Sequence, residues 1–160
     1  MVVENIIAEK KIWQILETVC DPEVPVLSII DLGIVRHVKT AAEQIEIVIT
    51  PTYSGCPAMD MIAMNIQLAL IEQGYKNVKT TSVLSPAWTT DWMTDEGKRK
   101  LKEYGIAAPN KKISIPVDGV ECPQCNSLHT KLLSEFGSTA CKALYQCQDC
   151  KEPFDYFKCH

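Results

Sequence analysis

The stretch that decides the fold runs from Ile45 to Leu84 and reads IEIVITPTYSGCPAMDMIAMNIQLALIEQGYKNVKTTSVL. Its opening, Ile45-Glu46-Ile47-Val48-Ile49-Thr50, is rich in β-branched residues with a period of two, the pattern of a strand with one buried face. Pro51 to Pro57 interrupts it as a loop. From Ala58 to Gln73 the apolar positions Met59, Ile62, Ala63, Ile66 and Leu70 change to helical spacing, and Gly74 supplies a C-terminal stop. A third β-rich run follows from Val78 to Leu84. Strand, crossover helix and strand in this order predict a parallel pair joined by a right-handed connection.

Reading outward from this unit, Ile34-Val35-Arg36-His37-Val38-Lys39 is a second β-branched run, separated from Ile45 by a polar turn near Ala42-Glu43. The two runs predict a β-hairpin. Further upstream, Ile12, Ile15, Leu16 and Val19 recur at i, i+3, i+4 and i+7, which predicts an amphipathic helix over residues 4–19. Two prolines within Asp21-Pro22-Glu23-Val24-Pro25 forbid its continuation. Downstream, Thr94 to Tyr104 reads as a short helix capped by Thr94. The methionines Met59, Met61 and Met64 read as core filling. Trp88 and Trp92 read as packing anchors or part of a subunit interface, and a homo-oligomer stays open.

The 160-residue chain carries a net charge of −4, which offers no electrostatic attraction to nucleic acid. Its densest basic cluster, Lys98, Arg99, Lys100 and Lys102, reads as the solvated face of a helix. No apolar run approaches a membrane span, and the N-terminal residues lack the basic-then-apolar order of an export signal. A cytoplasmic protein with no membrane contact is the expectation. Eight cysteines in a reducing compartment point to metal or redox chemistry in place of disulfides.

Six of those cysteines fall in the last 39 residues. Cys122-Pro123-Gln124-Cys125 and Cys147-Gln148-Asp149-Cys150 are two CxxC pairs with 21 residues between them. Two thiolates separated by two residues on a tight turn can face one ion, and two such turns complete a tetrahedron. Zinc is the expected ion, with iron or a cluster as the other four-thiolate options. Because four cysteines close the coordination shell, the site is structural by default. Cys141, Cys159 and His160 form a weaker candidate for a second metal site. The predicted fold class is therefore α/β of the α+β kind. A small α-β-β-α-β domain with a mixed sheet spans residues 1–108. A linker at 109–117 leads to a four-cysteine zinc-ribbon β-hairpin domain at 118–160.

Cys56 is the other candidate. It lies at the end of the Pro51–Pro57 loop, just before a helix whose first position suits Pro57. A helix N-terminus favours thiolate over thiol, which would make Cys56 a nucleophile or a soft-metal ligand; a cysteine without chemistry is the plain alternative. Asp21, Glu23 and Asp31, in the other irregular segments, are candidate acidic partners or simple turn residues. No serine–histidine–acid constellation, glycine-rich phosphate loop or HExxH pattern occurs, so catalysis by this chain itself is not expected.

Asp21-Pro22-Glu23-Val24-Pro25, Ile30-Asp31-Leu32-Gly33-Ile34-Val35 and Thr50-Pro51-Thr52-Tyr53-Ser54-Gly55-Cys56-Pro57 together resemble the signature of the SufT-like family. Pro86-Ala87-Trp88-Thr89-Thr90-Asp91-Trp92, the block from Ser134 to Tyr145 and the ending from Glu152 to His160 narrow the resemblance to the PaaD family. These are D components encoded with the phenylacetyl-CoA epoxidase of aerobic phenylacetate catabolism. The resemblance implies an iron–sulfur assembly domain followed by a zinc ribbon. It also implies an accessory maturation role, assisting insertion of iron or an iron–sulfur cluster into the oxygenase or reductase component. It places the working cysteine at Cys56 and the acidic loop positions at Asp21, Glu23 and Asp31. The alternative is a non-catalytic adaptor that docks the epoxidase components through the ribbon.

Overall fold

The computed structural model describes residues 2–41, 44–109 and 119–158. These fall into two compact units, Met1–Trp88 and Thr89–His160. Most of the expected linker, together with Ala42, Glu43, Cys159 and His160, lies outside the described residues. Residues 89–108, read from the sequence as part of the first domain, group here with the ribbon.

The first unit runs α1 (Val2–Leu16), β1 (Val35–Ala41), β2 (Gln44–Ile49), α2 (Ala58–Glu72) and β3 (Asn77–Ser82). β2 is central, antiparallel to β1 and parallel to β3, in the order β1-β2-β3. Alternation explains its role. Ile45, Ile47 and Ile49 are buried, and Ile12 and Leu16 of α1 and Ile62, Ile66 and Leu70 of α2 join them in the core. Glu46 points the other way. It accepts a hydrogen bond from the Thr81 hydroxyl at 2.6 Å and pairs with Lys39 at 3.4 Å and Lys79 at 3.8 Å. The Thr81 bond holds its carboxyl below the usual range; burial opposes it, and Lys39 and Lys79 add to the lowering. One face of the sheet is thus dry, and the other carries the Glu46 charge ladder at one end with Val48 buried beyond it.

The core-filling reading of the methionines does not hold for Met61 and Met64, whereas Met59 is half-buried. Met61 and Met64 are about half exposed, at 46% and 50%, and Leu68 and Ile71 are similarly open. α2 carries two apolar stripes. Ala58, Ile62, Ile66 and Leu70 face the sheet, whereas Met61, Met64, Leu68 and Ile71 face outward.

Between α1 and β1 the chain makes an ordered loop. The Asp21 N–H donates to the Leu27 carbonyl at 2.9 Å, and the Ile29 N–H donates to that of Val19 at 2.9 Å. Val24, Leu27, Ile29 and Leu32 bury its inner side. Trp88 is a packing anchor, as the sequence suggested. It is 4% exposed, and its indole N–H donates to the Leu32 carbonyl at 2.8 Å.

The second unit contains α3 (Asp95–Tyr104), β4 (Ile106–Ala107), β5 (Thr130–Ser134), β6 (Lys142–Cys147) and β7 (Pro153–Phe157). Thr94 caps α3, its hydroxyl accepting from the Gly97 N–H at 2.9 Å. The strand order is β4-β7-β6-β5. β5, β6 and β7 form an antiparallel meander, and β4 adds in parallel to β7. This is a larger sheet than the hairpin read from the sequence. Around the sheet Ala107, Val120, Cys122, Ala143, Tyr145, Cys147, Phe154 and Tyr156 form one buried cluster, and Leu101, Ile106 and Phe157 are buried in the same unit. Tyr145 stacks on Phe154 at 6.0 Å and meets Tyr156 edge-on at 5.8 Å.

Candidate metal centre and the Cys56 loop

Two tight turns build the four-cysteine site. In the first, the Asn126 N–H donates to the Cys122 carbonyl and the Cys122 N–H to the Ser127 carbonyl, both at 2.9 Å. In the second, the Cys147 N–H donates to the Glu152 carbonyl at 3.0 Å. The residue after each second cysteine takes a left-handed backbone, Asn126 at φ 61° and Lys151 at φ 67°. This reverses the chain and turns both cysteines of each pair inward.

The four sulfurs lie within 4.8 Å of one another. Cys122 Sγ is 3.7 Å from Cys150 Sγ, and Cys125 Sγ is 3.5 Å from Cys147 Sγ. Sulfurs held at about 2.3 Å from a tetrahedral zinc ion stand about 3.8 Å apart. Donor type, number and spacing therefore fit zinc. Cys122 and Cys147 are buried, while Cys125 and Cys150 are exposed, so the site sits at the rim of the sheet. The Cys150 and Asp149 N–H groups donate to the Cys147 sulfur and hold its pKa down to about 6, a ligand prepared as thiolate.

Among the described residues this is the one group of three or more His, Cys, Asp or Glu whose ligand atoms converge in this way. Cys141 is not part of it. It is buried, with its sulfur 3.0 Å from the Thr139 hydroxyl, and its two expected partners lie outside the described residues.

Cys56 ends the loop before α2, one residue ahead of Pro57, which takes the N-cap position without a side-chain cap. Gly55 makes the preceding bend at φ 78°. The thiol is half-buried. Burial is the main influence on its acidity and pushes the pKa up, and the negative charges of Glu23 and Asp21 push the same way. Bonds from the Ala58 N–H and from Tyr53 oppose them without prevailing. Desolvation thus outweighs the Ala58 and Tyr53 bonds, and the balance at Cys56 runs toward the thiol, against the thiolate that a helix start alone favours.

Glu23 and Asp21 stand close enough to act on Cys56 electrostatically. Asp21 is also a turn residue, its carboxylate accepting from the Glu23 N–H at 2.7 Å and the Val24 N–H at 2.9 Å. Asp31 is buried and exchanges bonds with Ser28, accepting from its N–H at 3.1 Å while its own N–H donates to the Ser28 hydroxyl at 3.0 Å. The loop geometry thus brings two of the three acids toward Cys56 and uses the third to hold the loop's shape.

Comparison with known proteins bears on both sites. Residues 107–158 match the PaaD zinc beta ribbon domain, and residues 9–83 match the model described as iron-sulfur cluster assembly protein. A protein of Escherichia coli (strain K12) named as the D component of 1,2-phenylacetyl-CoA epoxidase is 51% identical over 152 residues, covering 93% of this chain and 92% of that one. The chain belongs to the PaaD family. Its first part has relatives outside the family. One is the Fe-S protein maturation auxiliary factor of Porphyromonas gingivalis (strain ATCC BAA-308 / W83), 34% identical over 58% of this chain and 90% of its own. Another is a crystal structure of a domain of unknown function from Bacillus anthracis, 28% identical with a TM-score of 0.55, covering 58% of this chain and 90% of its own. The PaaD family therefore joins an assembly-type α+β domain to a ribbon. No helix among the described residues is long and apolar enough to cross a membrane.

Proposed function

We propose that this PaaD protein is a cytoplasmic accessory factor of a phenylacetyl-CoA epoxidase system that assists insertion of iron or an iron–sulfur cluster into the oxygenase or reductase. Cys56 is the transient ligand, Glu23 and Asp21 are its acidic neighbours, and Asp31 holds the loop. Iron or a cluster is cargo here, whereas zinc at Cys122, Cys125, Cys147 and Cys150 is structural. What carries this reading is the half-buried thiol beside two carboxylates in a domain matched by an assembly-protein model. Its chemistry suits transfer. A thiol with a raised pKa gives up its proton when a soft cation arrives, and proton return favours release, so binding is reversible. Among the described residues no group of three or more ligand side chains converges at Cys56, and such a weak site can be emptied by a better ligand set.

A second reading, an adaptor that docks the epoxidase components through the ribbon, draws on the exposed Leu128, Leu133 and Phe136. One experiment separates the two. The epoxidase components are co-expressed with the wild-type protein, with Cys56→Ala, or without it, and iron and activity are measured in each purified component. The maturation reading expects iron-poor or cluster-poor components with Cys56→Ala. Full loading with Cys56→Ala favours the adaptor, and normal loading in the complete absence of the protein sinks the maturation role.

A further inference from the structure

We infer that Ser127, His129 and Asp149 form a latch between the two cysteine turns that governs how long the ribbon retains its metal. The inference rests on the four cysteines being a metal site.

The latch is built from both turns. Ser127 closes the first, and Asp149 lies between the two cysteines of the second. The Ser127 hydroxyl donates to Asp149 Oδ2, and His129 Nδ1 stands 3.2 Å from Asp149 Oδ1. The His129 N–H donates to the Ser127 oxygen at 3.0 Å, which fixes the hydroxyl as donor toward the carboxylate. A backbone bond from the Gln148 N–H to the His129 carbonyl at 2.8 Å runs alongside. Asp149 is therefore tied through its side chain to the first turn. It sits within the second, between Cys147 and Cys150, whose N–H donates to the Cys147 sulfur at 3.5 Å.

A four-thiolate shell has no open position, so the metal leaves only as ligands detach and the two turns draw apart. Asp149 resists that separation directly, because its carboxylate bridges the gap the turns must open. Partners outside the coordination shell commonly change metal affinity 10- to 100-fold. His129 and Asp149 are largely solvent-exposed, which places this latch at the low end, at about tenfold. Ser127, His129 and Asp149 are thus positioning residues for the ribbon's metal.

The test uses the full chain loaded with zinc and follows release to a chromogenic chelator. Asp149→Ala is expected to release zinc about tenfold faster, and Ser127→Ala several-fold faster. The double variant is expected to be no faster than Asp149→Ala alone, since both bonds belong to one network. Asp149→Asn, which keeps one acceptor oxygen, should restore part of the retention. Cobalt-substituted samples check the geometry, and unchanged tetrathiolate absorption in every variant supports an effect on release with the ligands intact. Should Asp149→Ala fold poorly, Ser127→Ala, which removes one exposed hydroxyl, carries the same test. Release within twofold of wild type in both single variants overturns the latch, as does a double variant whose effect is the product of the two. A wild-type chain that binds no metal at these cysteines overturns the metal-site reading itself, a result distinguishable from failure of the latch.

Discussion

Replacing Cys147 with serine should dissolve the ribbon and spare the first unit. Cys147 is fully buried in the second unit's core, its sulfur stands 3.5 Å from that of Cys125, and two backbone N–H groups are aimed at it. A serine hydroxyl does not ionise near neutral pH, so the fourth ligand is lost. The magnitude follows from how few apolar side chains pack around the site. Besides its two ligand cysteines and two alanines, the cluster packed around the site has only Val120, Tyr145, Phe154 and Tyr156, each contributing about 1.5–3 kcal/mol on burial. Structural zinc in small domains supplies about 10–16 kcal/mol of apparent folding free energy, as much as that cluster. Net domain stability is only about 5–15 kcal/mol, so loss of the metal is enough to unfold the ribbon. The assay is amide hydrogen exchange read by mass spectrometry, with zinc content determined on the same samples. Amides of β6 and β7 should exchange freely in Cys147→Ser while those of β2 stay protected. Zinc should fall from near one equivalent to none. Protection of residues 142–157 at wild-type levels after zinc is gone would refute this reasoning.

Three further expectations concern other parts of the molecule. Ile66→Ala on the inner stripe of α2 should cost about 2–5 kcal/mol, whereas Met64→Ala on the outer stripe should stay within about 0.5 kcal/mol, measured by urea unfolding. Lys151→Gly should stabilise the zinc-loaded ribbon by about 0.5–1 kcal/mol, because glycine relieves the left-handed strain at φ 67° and returns part of that gain as unfolded-state entropy. Cys56, with its pKa raised by burial and by Glu23 and Asp21, should alkylate slowly at neutral pH and faster as pH rises. Glu23→Gln removes one like charge, lowers that pKa and should speed alkylation at every pH below the titration, read by peptide mass mapping. An unchanged pH profile in Glu23→Gln would place the carboxylate out of reach.

The strand–helix–strand unit was legible because its periodicities change cleanly at Pro51 and Gly74. The two CxxC pairs were legible because their spacing has one common physical use. The outward stripe of α2 was not. Apolar residues surround that helix, and a periodicity argument cannot say which of two stripes meets the sheet. The acidity of Cys56 stayed open for a related reason. Local sequence reveals the helix start but not the desolvation or the two carboxylates brought in from a distant loop, at Asp21 and Glu23. β4 was beyond reach, being two residues long and defined only by pairing with Asp155 and Tyr156. Ser127, His129 and Asp149 escaped notice because their bonds join positions 20 and 22 residues apart, although a carboxylate inside the second CxxC pair was visible all along.

The central claim, that cargo iron passes through Cys56, is tested most directly by transfer of radiolabelled iron. The wild-type protein and Cys56→Ala, both with an intact zinc ribbon, are incubated anaerobically with labelled ferrous iron and separated from excess. Each is then mixed with iron-free epoxidase oxygenase or reductase, and label is counted on the recipient after separation. Label should appear on a recipient from the wild-type donor and stay at background from Cys56→Ala. Equal transfer from both donors would contradict the account.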